Sequence, residues 1–150
     1  MSPMAYDLVV IGAGVTGAGV ARDAALRGLK VAVVERGEPG GATTAASTHL
    51  IHGGVRYLLY DRLTTHATCW DSGHIVRTAR ELLTRLPILW PVYRGHARGL
   101  ETVETLFEEY DKFQPMKYGL PHMRLTPEAA LRLVPGLKAE GLKGALVFDE

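Results

Sequence analysis

A short apolar run that passes straight into Gly-x-Gly-x-x-Gly restricts this 150-residue chain more than any other feature. The run is Leu8-Val9-Val10-Ile11, the turn is Gly12-Ala13-Gly14-Val15-Thr16-Gly17, and a helical pattern follows over residues 15–27. Four consecutive apolar residues read as a strand buried on both faces, so the order is strand, tight turn, helix. Each glycine has its own duty. Gly12 lets the chain leave the strand sharply, Gly14 opens the backbone to a pyrophosphate, and Gly17 lets the helix lie against the strand. The unpaired amides of the first helical turn, with their partial positive charge, then face phosphate.

The helix stops at Gly28, and Asp23 and Arg27 stand one turn apart as an optional ion pair. A second strand over residues 30–35 ends in Glu35, roughly 20 residues beyond the glycines, where a carboxylate holds the ribose hydroxyls of an adenine nucleotide. This closes a βαβ unit over residues 6–36. The bland alternative is an ordinary glycine turn with Glu35 as a solvated strand end. Arg36 would attract a 2′-phosphate, but the neighbouring carboxylate repels one, so NADP is the least favoured dinucleotide. These residues alone leave NAD and FAD both open.

Residues 37–48 are rich in glycine and small residues, with hydroxyls at Thr43, Thr44, Ser47 and Thr48. Such a stretch either lies flat against a planar ligand and donates hydrogen bonds to it, or is a linker. His52-Gly53-Gly54-Val55-Arg56-Tyr57 comes next, in an otherwise apolar segment. Paired glycines between a histidine and an arginine suit a backbone closely approached by something, and equally a surface turn with two solvated side chains.

The strand and glycine signature, the Gly-Ala-Gly-Val-Ala-Arg-Asp-Ala-Ala-Leu-Arg-Gly-Leu-Lys-Val stretch, and above all Ser-Thr-His-Leu-Ile-His-Gly-Gly-Val-Arg-Tyr-Leu resemble the FAD-dependent glycerol-3-phosphate dehydrogenase family. That family belongs to the D-amino-acid-oxidase type of glutathione-reductase-like flavoproteins. The likeness is close over residues 6–58 and weaker over 125–149, where Leu-Thr-Pro-Glu-Ala-Ala-Leu-Arg-Leu-Val-Pro-Gly-Leu is similar to the approach to the family's substrate region. It implies an α/β chain, a Rossmann-like FAD-binding βαβ unit with additional helices, forming over residues 5–150 the N-terminal part of a larger flavoprotein domain. The turn residues Gly12, Ala13, Gly14, Val15, Thr16 and Gly17 would take the FAD pyrophosphate, with Glu35 and Arg36 at the adenosine ribose. A loop over residues 40–58 would face the flavin. Thr43, Thr44, Ser47 and Thr48 would line that side of the cofactor, and His52, Gly53 and Gly54 would lie near the ring.

Arg56 and Tyr57 would reach the substrate, with Arg56 its anchor and His52 part of the flavin's environment; these two are the catalytic candidates. A guanidinium pairs with phosphate in fork geometry and keeps its charge. The implied reaction converts glycerol 3-phosphate to dihydroxyacetone phosphate by hydride transfer to flavin, with electrons passed on to a quinone or another acceptor. The general base and the remaining phosphate ligands are expected beyond residue 150, so this stretch alone is expected to be inactive. Departures from the family pattern stand at His49, commonly lysine, and Val55, commonly leucine. An amino-acid, amine or 2-hydroxy-acid oxidase of the same type and a non-catalytic dinucleotide-binding module are the rival readings.

Composition narrows the partners. A net charge of +1 with no run of like charges offers nothing for nucleic acid, and oligomeric state is not legible. The apolar stretches are too short to span a bilayer and residues 1–6 lack a leader pattern, so cytoplasmic residence is expected. Peripheral attachment at the inner face of the membrane would suit a quinone, although no basic amphipathic helix supports it. Cys69 is the single cysteine and reads as a buried thiol, and the six histidines lack metal-site spacing, so no metal is expected.

Further along, Ile75, Ala79, Leu82, Leu83 and Leu86 predict an amphipathic helix ending at Pro87. Residues 88–93, interrupted by Pro91, predict an edge strand or extended segment. Leu100, Val103, Leu106, Phe107 and Tyr110 predict a second helix, with Glu101, Glu104, Glu108 and Glu109 toward water. Thr126 and Pro127 open a short helix. A doubly wound sheet needs a third parallel strand beside the first, and residues 145–148 are the best candidate, at the very end of the sequence.

Overall fold

The computed structural model describes residues 5–150, so of the leader reading only residues 5 and 6 fall among them. The chain divides into two compact units, Met1–Leu50 and Ile51–Glu150.

In the first unit, β1 (Leu8–Ile11) and β2 (Val31–Val34) pair in parallel, Leu8 opposite Val31 and Ile11 opposite Val34. Helix α1 (Val15–Leu26) makes the crossover. Val10 and Ala24 are the residues these elements bury most deeply, and the expectation of a β1 buried on both faces is corrected: α1 covers one face, while Val9 and Ile11 on the other are exposed, as are Val33 and Val34 of β2. Asp7 clamps the open end of the strand pair, its carboxylate accepting from the Lys30 N–H at 2.8 Å and its own N–H donating to Lys30 O at 2.9 Å. The expected Asp23–Arg27 pair forms at 2.7 Å, but both side chains are exposed and it contributes little.

The second unit is built on a three-stranded antiparallel sheet of order β3-β5-β4, from β3 (Pro87–Tyr93), β4 (Met123–Leu125) and β5 (Leu142–Asp149). Side chains alternate across it from Gly144 onward, as the period of two demands, and a register shift opposite Val92 and Tyr93 resets the faces before that point. Val92, Leu146 and Phe148 face a core completed by Val103, Phe107, Tyr110 and Phe113, while Ala145 and Leu142 face a smaller one with Ala130. Helix α3 (Leu100–Asp111) supplies the first core along its predicted stripe, and α4 (Pro127–Leu133) the second. Thr126 Oγ1 accepts from the Ala129 N–H at 3.2 Å, giving α4 its expected cap. Pro87 and Pro91 sit on edge strand β3, where a missing N–H is tolerated.

Two further expectations are corrected. Residues 145–148 are indeed strand, but they belong to β5, the centre of the antiparallel sheet, and do not extend the β1–β2 pair. With β3 along one edge and β4 along the other at Ala145, Leu146 and Val147, β5 has no edge free at these residues for a parallel partner. The helix expected to end at Pro87 is instead α2 (Arg62–Thr78), followed by a short 3-10 turn at Arg80–Leu82. Its buried stripe is Thr65, Cys69, Ser72 and Gly73, whereas Ile75, Leu82 and Leu86 are exposed. Small side chains let the 114–117 backbone pack close to the helix, and that polar-looking stripe outweighed the apolar periodicity. Asp61 caps α2, its carboxylate accepting from the Thr64 N–H at 2.9 Å. Among the described residues no helix is long and apolar enough to cross a membrane.

Candidate functional site

Within the first unit the glycine turn is held by contacts that span the βαβ unit. Gly12 leaves β1 at φ +102°, a backbone state that L side chains rarely adopt, and its N–H donates to Val34 O at 2.8 Å. At Gly17 an added methyl would overlap Gly12 O and stand 3.0 Å from its carbonyl carbon, so the absence of a Cβ lets α1 lie directly on the turn. The next N–H, that of Ala13, donates to Glu35 Oε2 at 2.8 Å, and Gly37 N–H donates to Glu35 Oε1 at 3.1 Å. These backbone donors, Ala13 first, hold the Glu35 carboxyl below the usual glutamate range. Glu35 is therefore fixed against the glycine turn, with unused lone pairs on both oxygens.

Thr44 takes the Val15 N–H at 3.0 Å, the first amide of α1, and its Oγ1 lies 3.2 Å from where a Gly14 Cβ would be. The side of Gly14 that a Cβ would fill is thus taken by a hydroxyl from the 40–48 loop, so the close approach expected there is made by the chain itself. That loop is folded as consecutive turns and is no linker: Ala45 N–H donates to Gly40 O at 2.9 Å, Gly40 N–H to Ala13 O at 3.0 Å, and Ser47 Oγ to Thr44 O at 3.0 Å. Thr43, Thr48 and Arg36 are exposed. The first turn of α1 carries no acidic side chain, so the positive end of its dipole, with the Thr16 and Gly17 amides, suits an anion. A strained glycine, a close-packed helix, a fixed acid and an acid-free helix start are the donor set a dinucleotide needs, and the residues fit one.

In the second unit the paired glycines are buried while His52 and Arg56 are exposed. Gly54 has φ +70° and opens a 3-10 turn over Val55–Leu59. An added methyl on Gly53 would overlap Cys69 Sγ and Tyr110 Oη, and one on Gly54 would overlap the Tyr57 ring. The close approach inferred from the sequence is therefore made, on the inner side, by the protein's own side chains. Gly53 O accepts from Thr68 Oγ1 at 2.7 Å and His52 O from Ser72 Oγ at 3.0 Å. Gly53 N–H donates to Glu150 Oε2 at 2.9 Å. Arg56 has no ion-pair partner among the described residues. Cys69 is fully buried, and burial pushes its thiol up.

Sequence reasoning missed Thr68, Ser72, Tyr110, Lys117 and Glu150, which hold this segment from behind. Only Tyr110 left a trace, as the last member of an apolar stripe with a polar tip. The acidic residues of α3 pair outward, Glu101 and Glu104 with Arg124, and Glu109 with Arg62 and Lys112. Among the described residues no group of His, Cys, Asp and Glu could hold a metal ion.

Residues 7–150 match the FAD dependent oxidoreductase family. The glycerol-3-phosphate dehydrogenase of Synechocystis sp. is 37% identical over 147 residues, which are 97% of this chain and 27% of the relative. The aerobic glycerol-3-phosphate dehydrogenase of Staphylococcus haemolyticus is 36% identical over 146 residues, 97% of this chain and 26% of the relative. The chain thus spans about a quarter of the length of these curated relatives. Among solved structures, L-proline dehydrogenase from P. horikoshii superposes with a TM-score of 0.63 at 25% identity, covering 98% of this chain and 38% of that one. The L-alpha-glycerophosphate oxidase from Mycoplasma pneumoniae, solved with FAD bound, shares the fold with a TM-score of 0.56 at 18% identity, over 97% of this chain and 38% of that one. The acid-fixed glycine turn and a family match over nearly all the residues lead to one assignment: the chain belongs to the FAD-dependent oxidoreductases.

Proposed function

We propose that this chain is the cofactor-holding part of a flavoprotein that oxidises glycerol 3-phosphate to dihydroxyacetone phosphate. The observation that carries the reading is the Glu35 carboxylate pinned on the Ala13 amide, in a chain 36–37% identical over 97% of its length to glycerol-3-phosphate dehydrogenases. Bound FAD would supply a hydride acceptor, and the redox chemistry would be its own. The chain's residues would bind and orient. Within the turn, the amides of Gly14, Thr16 and Gly17 would take the pyrophosphate, those of Gly12, Ala13 and Val15 being held by Val34 O, Glu35 and Thr44, and Glu35, beside Arg36, would accept from the ribose hydroxyls through its free lone pairs. Thr43, Thr44, Ser47 and Thr48 would line the flavin side.

Arg56, exposed and without an ion-pair partner among the described residues, would clamp the substrate phosphate beside Tyr57. A quinone or other acceptor taking up the electrons, and a cytoplasmic place with peripheral attachment to the inner face of a membrane, complete the proposal. The test is to mix the FAD-loaded full-length protein with glycerol 3-phosphate, or with a panel of amino acids, and follow loss of the yellow colour. Glycerol 3-phosphate should bleach it, and Arg56→Ala should raise KM about 100-fold with a smaller effect on kcat. Bleaching by amino acids alone would favour the amine-oxidising reading, to which the likeness to L-proline dehydrogenase lends weight.

A further inference from the structure

Behind the His52–Arg56 segment lies a charged pair withdrawn from water. The Lys117 and Glu150 side chains are 4% and 5% exposed, with Nζ 2.7 Å from Oε2. Desolvating both charges offsets most of their attraction, so a pair this deep is a poor source of stability in itself. Its placement is specific. Glu150 also accepts from Tyr110 Oη, at 3.0 and 3.1 Å to its two oxygens, and from Gly53 N–H at 2.9 Å. Lys117 also donates to Asp149 O at 3.0 Å and lies over the Tyr110 ring, 5.1 Å from its centroid. One carboxylate therefore gathers α3, the turn after it, the end of β5 and the glycine loop.

We propose that Lys117 and Glu150 are positioning residues: the ion pair holds the Gly53 amide, and through it sets where His52 and Arg56 stand. What those two side chains meet rests on the function proposed above; the grip on Gly53 does not. Without the ammonium, Glu150 would be a lone buried anion that must take up a proton or leave its place, and either change loosens Gly53. An apolar pair of similar size would leave no uncompensated charge in the interior, yet would give the Gly53 N–H and the Tyr110 hydroxyl no acceptor. That difference separates folding from positioning.

The experiment compares the FAD-loaded full-length parent with its Lys117→Met/Glu150→Leu variant. The double variant should keep one cooperative thermal transition, since no uncompensated charge is left, with a midpoint lowered by no more than about 10 °C for the two orphaned donors. Exchange of the Gly53 amide with solvent should accelerate about tenfold or more, and KM for glycerol 3-phosphate should rise about tenfold with kcat within about twofold. A folded double variant with unchanged Gly53 exchange overturns the proposal. So does accelerated exchange without a rise in KM, provided Arg56→Ala does raise KM. If Arg56→Ala leaves KM unchanged while Gly53 exchange accelerates, the substrate contact fails and the holding role stands. Should the double variant not fold, Tyr110→Phe removes a single donor from Glu150; it should accelerate Gly53 exchange about threefold, and no acceleration overturns the proposal.

Discussion

Replacing Gly17 by alanine tests how the glycine turn makes its anion site. The added methyl would overlap Gly12 O and stand 3.0 Å from the Gly12 carbonyl carbon and 3.4 Å from Val10 Cγ1. The first two of these are backbone atoms of the turn itself, so no rotamer change relieves them and α1 must lift from β1. Overpacking that displaces backbone costs about 3 kcal/mol, from which alanine's better helix propensity returns about 1 kcal/mol. The net loss of about 2 kcal/mol corresponds to a fall of roughly 6 °C in the thermal midpoint. FAD affinity should fall further, because the Thr16 and Gly17 amides move with the helix. Gly19→Ala is the matched control, on the same helix with nothing within 4 Å of the new methyl, and should stabilise by about 1 kcal/mol. Calorimetry and fluorescence titration with FAD measure both variants. Equal stability and equal FAD affinity in the two would refute the argument from close packing.

Glu35→Gln keeps an oxygen for one of the two amides but turns an N–H₂ toward the other, and FAD binding should weaken about tenfold by equilibrium titration. Because the folded Glu35 carboxyl lies below its ordinary range, its contribution is complete above that range and is lost as pH falls through the folded value. The parent should therefore lose stability across that acid window, and Glu35→Gln should show a flatter curve there in acid titration followed by circular dichroism. Thr44→Val removes the acceptor of the Val15 N–H without changing shape, and should cost about 1 kcal/mol in urea denaturation.

Near the start of the chain, sequence and structure speak the same language. Ile11 to Gly17, the end of α1 and the acid at 35 depend on contacts within a single βαβ unit, where φ at Gly12 and the spacing to Glu35 leave few alternatives. The α3 stripe and the Thr126 cap were legible for the same reason, since helical period and capping chemistry are local. What the tertiary structure alone decided involves partners far away in sequence. Residues 145–148 are strand in either setting, but whether they extend a parallel sheet or centre an antiparallel one depends on which edges lie beside them, and β3 and β4 took both. The buried face of α2 went to Thr65, Cys69 and Ser72 because the backbone at 114–117 packs against small side chains, information that helical period does not contain. The carboxylate beneath Gly53 stands 97 residues away along the chain, and its burial beside Lys117 follows from the folded neighbourhood, since both side chains read as solvated in isolation.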